Sequence, residues 1–159
     1  MTALNLIGLN CKGMLKYGEW EALMREAKRE RVNVLALQEL NVKPEMVSEF
    51  KRRALALDFD AFISCSDSAA CRGGTGVLVR CGFAAASPEA VADSTRGDTL
   101  GGGLCAIDLM LGEDTVRLAS LYVPSSSWAR GMFLEKLEAC HTIGPDTIVQ
   151  GDMNWGPGM

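Results

Sequence analysis

The sequence predicts an α+β protein, with a sheet that is mixed in its first half, antiparallel in its second, and flanked by helices. Three observations carry this. A strand, a helix and a second strand follow one another between Leu4 and Leu37. Two alternating runs, Leu104 to Leu111 and Thr115 to Val123, flank Gly112-Glu113-Asp114 as a β-hairpin should. The remaining pattern adds short β runs and two more helical stretches, about seven strands and three helices in all. With 159 residues, 48% of them hydrophobic and 23% charged, the chain suits one globular domain and not a disordered tail.

Taken in order, Leu4 to Leu9 is an apolar run closed by Asn10-Cys11-Lys12-Gly13, the pattern of a buried first strand and a turn. Trp20, Leu23, Met24, Ala27 and Arg31 recur at helical spacing with a charged face between them, which predicts an amphipathic helix from Gly18 to Arg31. Val32 to Leu37 is β-branched and apolar, a second buried strand ending at Gln38-Glu39. Strand, helix and strand in so short a stretch imply a crossover with both strands in one sheet. Pro44 at a first helical position, then Met46, Val47, Phe50, Ala54 and Leu57, gives a second helix. Phe59 to Cys65 alternates as a third strand, and Gly73-Gly74-Thr75-Gly76 is a flexible turn feeding a fourth, Val77 to Arg80. Residues 84–103 are rich in small residues, Asp and Gly, and read as a long surface excursion of the kind that often carries function. After the hairpin Pro124 stops the strand, and Ser125-Ser126-Ser127 offers N-caps for a third helix from Trp128 to Cys140. Asp146 to Gln150 is the final strand.

The polar residues of interest fall at strand ends: Asn10, Gln38-Glu39, Tyr122, and Asp152 with Asn154. Asp152 and Asn154 are two positions apart, so on extended backbone they face one side, with Gly151 letting the chain turn. That arrangement suits a hydrated hard cation and a phosphoryl oxygen. The same residues are also ordinary turn formers closing a strand, and only partners from elsewhere in the chain decide between the two. The net charge of −4 offers no basic stripe for coating nucleic acid, though a phosphodiester enzyme tolerates it. Six cysteines show no CxxC and no zinc-ligand spacing, as expected of reduced thiols in an intracellular protein, nuclear or cytoplasmic. The N-terminus lacks the pattern of a signal peptide, and no run reaches the ~18 apolar residues of a membrane span, so no membrane partner is expected.

Asn10, Leu37-Gln38-Glu39, Gly73-Gly74-Thr75-Gly76-Val77, Tyr122-Val123-Pro124 and Gly151-Asp152-Met153-Asn154 occur in the order seen in the endonuclease/exonuclease/phosphatase superfamily, which the chain resembles. The glycine-rich block, Arg130 after the serines, and the last motif look most like the retroelement-type endonucleases. The resemblance implies a four-layer αββα sandwich of the DNase I-like type, and Mg²⁺-dependent cleavage of phosphate esters, with Mn²⁺ as a substitute. It implies nucleic acid, DNA in the first place, as the partner of an active form. It makes Glu39 the metal-binding carboxylate, with Asn10 as the amide that helps hold it and the metal shell. Tyr122 reaches the phosphate or polarises the nucleophile, Asp152 orients or deprotonates the attacking water, and Asn154 stabilises charge on the phosphoryl oxygens. Arg130 and Arg80 are candidates for phosphate contact, though an exposed charge on a helix or strand is the preferred reading of both. Gln38 is expected to point away from Glu39 as a supporting residue.

The sequence also departs from the family. A usual Trp before the first Asn is Leu9 here, and the family's later Asp and terminal Ser-Asp-His have no counterpart. The single histidine, His141, follows a helix in the wrong place. The expectation is therefore one domain over 1–159 lacking its C-terminal third, with an incomplete second sheet open to aggregation or to completion by the missing segment. Such a chain is expected to be weak or inactive alone. The other readings are a catalytically dead retroelement remnant or interaction module, and an inositol-phosphate-type phosphatase.

Overall fold

In a computed structural model of the protein, the described residues are 4–13, 17–65, 73–86, 102–139 and 143–154. The chain order is β1 (Leu6–Asn10), α1 (Tyr17–Arg29), β2 (Val34–Gln38), a single 3-10 turn (Pro44–Met46), α2 (Val47–Ala56), β3 (Phe59–Ser64), β4 (Thr75–Arg80), β5 (Ala84–Ala86), β6 (Leu104–Leu111), β7 (Asp114–Tyr122), α3 (Ser127–Ala139) and β8 (Thr147–Asp152). The strands make two four-stranded sheets, ordered β1-β2-β4-β3 and β5-β6-β7-β8. In the first, β1 and β2 are parallel and the other neighbours antiparallel. In the second, β7 and β8 are the parallel pair.

Alternation along the strands sorts the apolar residues into three layers. Leu35, Leu37, Phe59 and Leu78 leave the first sheet on its outer side and meet Trp20, Met24 and Ala27 of α1 and Phe50 and Ala54 of α2. Trp20 and Phe50 stack with ring centroids 4.0 Å apart and planes 8° from parallel, which joins the two helices. Val34, Val77 and Val79 point the other way, against Ile107, Leu109 and Leu118 of the second sheet. On that sheet's far side Leu104, Ala106, Ala119 and Leu121 pack on Phe133 of α3. The result is an αββα sandwich. Each Val, Leu or Ile buried in these layers contributes roughly 1.5–3 kcal/mol. Only Phe133 is buried in α3, so that helix is held by less apolar area than α1.

Local chemistry sets the boundaries. α1 stops short of the predicted Arg31 because Arg31 takes a left-handed φ of +56°. Its N–H donates to Lys28 O and that of Val32 to Ala27 O, the paired bonds of a Schellman cap. The β6–β7 hairpin is tighter than predicted: Leu111 pairs with Asp114, leaving a two-residue turn in which Gly112 adopts φ +71°. α3 starts one residue early, capped by Ser126 Oγ, which accepts from Ala129 N at 3.4 Å.

Four expectations change. β1 is not buried: it is an edge strand whose outer Ile7 and Leu9 remain 43% and 38% exposed, because the sheet continues on one side of it only. Thr75 and Gly76 lie inside β4 and not in a turn, paired with Gln38 and Leu37. Ala84–Ala86, read as the start of a surface excursion, pairs with β6 as the other sheet's edge. β8 runs past Gln150 to Asp152, so Gly151 does not turn the chain. Residues 87–101 of the predicted excursion, Cys71, Cys140 and His141 lie outside the described residues. Among the described cysteines, Cys11, Cys81 and Cys105 are free thiols. No helix among the described residues is long and apolar enough to cross a membrane.

Candidate active site

The two parallel pairs explain why the polar strand ends meet. Parallel partners finish at the same end of a sheet, and Asn10 pairs with Gln38 while Tyr122 pairs with Asp152. One amide then joins the two sheets. Asn10 Nδ2 donates to Glu39 Oε1 at 2.8 Å and to Asp152 Oδ2 at 2.7 Å, the second bond joining residues 142 positions apart in sequence. Asn10 Oδ1 accepts from Lys12 N at 2.9 Å, which fixes the orientation of the amide, since an NH₂ group cannot accept.

Glu39 sits in left-handed backbone, φ +51°, a conformation costing an L residue about 1–2 kcal/mol. Bonds on both flanks hold it there. Cys11 N donates to Gln38 O (2.8 Å) and Gly13 N to Glu39 O (2.9 Å) on one side; Leu40 N donates to Gly74 O (3.1 Å) and Asn41 N to Gly73 O (2.8 Å) on the other. Asn41 Oδ1 completes the lock by accepting from Gly73 N at 2.9 Å. Gly73 and Gly74 adopt φ of +93° and +88°, so the block read as a flexible turn is a pinned loop that needs glycine.

Tyr122 is half-buried beside Glu39, Asp152 and Asn154, all of which act on its phenol. Burial, then the charges of Glu39 and Asp152, push its phenol above the usual value, so it stays protonated at neutral pH and serves as a donor. Asn154, at φ +47°, donates its N–H to Asp152 Oδ1 at 3.0 Å and its Nδ2 to Val123 O at 2.7 Å. The Asp-Asn turn is therefore real, and Asp152 makes it while also reaching Asn10. Gly151 is required for another reason: an added Cβ would run into the backbone carbonyl of Leu121.

Beside this cluster an open cavity of about 670 Å³ is lined by Gly8, Asn10, Gln38, Gln150, Asp152 and Asn154, among others. The donors available to a metal are carboxylate oxygens from Glu39 and Asp152, which suit a hard cation such as Mg²⁺. No group of three His, Cys, Asp or Glu side chains able to hold a metal occurs among the described residues. Glu39 and Asp152 would hold such an ion by one or two carboxylates and would leave it open to water and phosphate oxygen.

Arg130 lies on the first turn of α3, its guanidinium donating to Pro124 O at 3.3 Å and Ser125 O at 2.8 Å. Arg80 lies apart from this cluster. β4 runs antiparallel to β2, so its last residue is at the end of the sheet away from Glu39, where Arg80 is 3.7 Å from Asp58. Gln38 turns into the sandwich, where its Nε2 donates to Ser120 Oγ at 2.9 Å. Sequence reading missed Asn41 and Ser120. For Ser120 a signal existed, a hydroxyl on the inward face of an apolar strand two residues before Tyr122; for Asn41 there was none.

No protein-family model matches this sequence, and no curated protein does either. Solved structures do. The chain is similar to the endonuclease domain of TRAS1, a telomere-specific non-LTR retrotransposon, at 14% identity and a TM-score of 0.64, covering 95% of this chain and 60% of that one. It is similar to the Xenopus laevis APE2 catalytic domain at 16% identity and TM-score 0.62, over 94% and 58%. It is similar to the human Nocturnin catalytic domain with bound sulfate at 18% and 0.64, over 97% and 65%. The chain has the DNase I-like fold of the endonuclease/exonuclease/phosphatase enzymes, and it spans 58–65% of the length of these three structures.

Proposed function

We propose that this chain carries the phosphate-ester-cleaving site of a Mg²⁺-dependent, endonuclease-type phosphodiester hydrolase acting on nucleic acid. The observation that carries this is the interlocking of Asn10, Glu39, Tyr122, Asp152 and Asn154 from both sheets at one end of the sandwich. That the matched structures include a retrotransposon endonuclease domain supports nucleic acid as the substrate class.

In this reading Glu39 and Asp152 supply the anionic oxygens for the cation, and Asn10 orients both carboxylates with its NH₂. A bound Mg²⁺ would neutralise charge on the phosphoryl oxygens. The Asp152 carboxylate, held by Asn10 and by Asn154 N, aims a water for attack and accepts its proton. The protonated phenol of Tyr122 and the amide of Asn154 donate toward the phosphoryl group, and Arg130 adds positive charge at its edge. A second reading is binding of a cation or phosphate without turnover, for which the same amide-linked carboxylates would suffice.

The test pairs Mn²⁺ titration followed by electron paramagnetic resonance with nicking of supercoiled plasmid in Mg²⁺. Wild type should bind Mn²⁺ and nick slowly, with both lost in Glu39→Gln and nicking stopped by EDTA. Binding without nicking selects the second reading. Nicking that survives Glu39→Gln or EDTA overturns the site.

A further inference from the structure

One level below the site, the sandwich interior carries a buried polar bridge that the mechanism above leaves unused. Gln38 is 3% exposed and Ser120 0%. Gln38 Nε2 donates to Ser120 Oγ at 2.9 Å, and Ser120 Oγ donates to Leu37 O at 2.8 Å. The same Nε2 also reaches Ala36 O at 3.2 Å. Ser120 thus uses its hydroxyl in both directions, as acceptor from one residue of β2 and donor to its neighbour. Thr75, buried beside Gln38 on β4, is polar too; further from the site the interior is apolar, from Val34 and Val77 on one sheet to Ile107 and Leu118 on the other.

The placement is what gives the bridge a role. Gln38 immediately precedes Glu39 and pairs with Asn10 across β1–β2. Ser120 precedes Tyr122 by two residues on the same face of β7 and pairs with Gln150 of β8. Every side chain of the site is therefore attached to one of two strand pairs, and the Gln38–Ser120 bridge ties those pairs together. Apolar contact between sheets is non-directional and tolerates sliding, whereas a hydrogen-bonded pair satisfied on both sides fixes a register.

We infer that Gln38 and Ser120 form a positioning clamp that sets the separation of the Glu39–Asn10 half of the site from its Tyr122–Asp152 half. This rests on the function proposed above, so its test includes a readout that needs no metal. The Asn10 side-chain NH₂ donates across the gap to both carboxylates, and its ¹H–¹⁵N signals report that gap directly.

Four proteins suffice: wild type, Ser120→Ala, the double variant Gln38→Met/Ser120→Ala, and Ile107→Val as a packing control in the same layer. Replacing both partners of a buried hydrogen bond with apolar groups is nearly neutral for stability, so the double variant should fold at least as well as the single one. The clamp predicts shifted or broadened Asn10 signals in both clamp variants and unchanged signals in Ile107→Val. It also predicts Mn²⁺ affinity weakened about 10-fold in both, the size usual for groups that orient ligands. A merely structural bridge predicts instead that the double variant regains wild-type Asn10 signals and affinity as it regains stability, and that result overturns the inference. If wild type binds no Mn²⁺, the metal reading falls and the Asn10 signals alone decide the clamp.

Discussion

The left-handed backbone at Glu39 lends itself to a quantitative test, because two substitutions remove the same carboxylate and differ only in the strain they leave behind. Glu39→Ala keeps a Cβ at φ +51°, where an L residue pays about 1–2 kcal/mol. Glu39→Gly removes that penalty but adds freedom to the unfolded chain, costing roughly 0.5–1 kcal/mol relative to Ala. Both variants lose the bond to Asn10, so this effect cancels in the comparison. Taking the middle of both ranges, the difference left is about 0.75 kcal/mol in favour of glycine. For a domain of this size that is a rise of ~1–4 °C in Tm. Urea denaturation followed by circular dichroism, with tryptophan fluorescence as a second probe, reads it as a shift in midpoint at constant slope. An alanine variant as stable as the glycine variant would show that the pins from Gly13, Gly73 and Gly74 impose no strain. The reason to expect strain here is that unfavourable backbone persists where the surrounding structure over-determines it, and such places gather at functional sites.

Two further predictions follow from the glycines and the thiols. Gly131 lies within α3 with nothing within 4 Å of an added Cβ, so Gly131→Ala should stabilise by about 0.8–1 kcal/mol. Gly151→Ala should destabilise by roughly 1–3 kcal/mol by forcing Leu121 and the β7–β8 pair apart, both effects being read by urea melts. Burial pushes the thiols of Cys11 and Cys105 from 9.0 to about 12. A folded-state value above the unfolded one leaves stability intact below pH 9 and erodes it as the pH climbs toward 12, by up to ~1.4 kcal/mol per pH unit for each thiol. Cys105→Ala should flatten that alkaline loss, and an equal loss in wild type and variant would mean that the thiol titrates as freely folded as unfolded.

Strand ends were legible because residue type announces them: Asn10, Glu39, Tyr122 and Asp152 each follow an apolar run that has nowhere polar to put them. What escaped the sequence depends on tertiary contact. The apolar run at β1 reads as buried, yet period and composition do not distinguish a central strand from an edge, and Ile7 and Leu9 face outward. Ala84–Ala86 has neither alternation nor β-branched residues, and it becomes a strand only because β6 offers it an edge. Gly151 looked like a turn residue and is a glycine because a carbonyl of the neighbouring strand leaves no room for more. Glycine marks close approach as readily as it marks a bend, and one sequence alone does not tell them apart.

The same contrast explains why the site lies at one end of the sandwich. Along β2, β4, β6 and β7 the inward positions are apolar until the last layer, where Val34, Val77, Ile107 and Leu118 give way to Gln38, Thr75, Cys105 and Ser120. In β1 and β8 the corresponding positions carry Asn10, Gln150 and Asp152. Polar groups contribute little by burial and cost about 1–3 kcal/mol each when left unpaired, so such a layer survives only if its members satisfy one another. Asn10, Gln38, Ser120, Asp152 and Asn154 do so. Thr75 does not: its Oγ1 is buried and finds no hydrogen-bond partner among the described residues. A layer selected for stability alone would place valine there and would not force Glu39 into left-handed backbone one residue from Gln38. Two unfavourable features beside one hydrogen-bonded cluster, in a molecule whose other inward positions are apolar, are what retention of this end for binding and chemistry predicts.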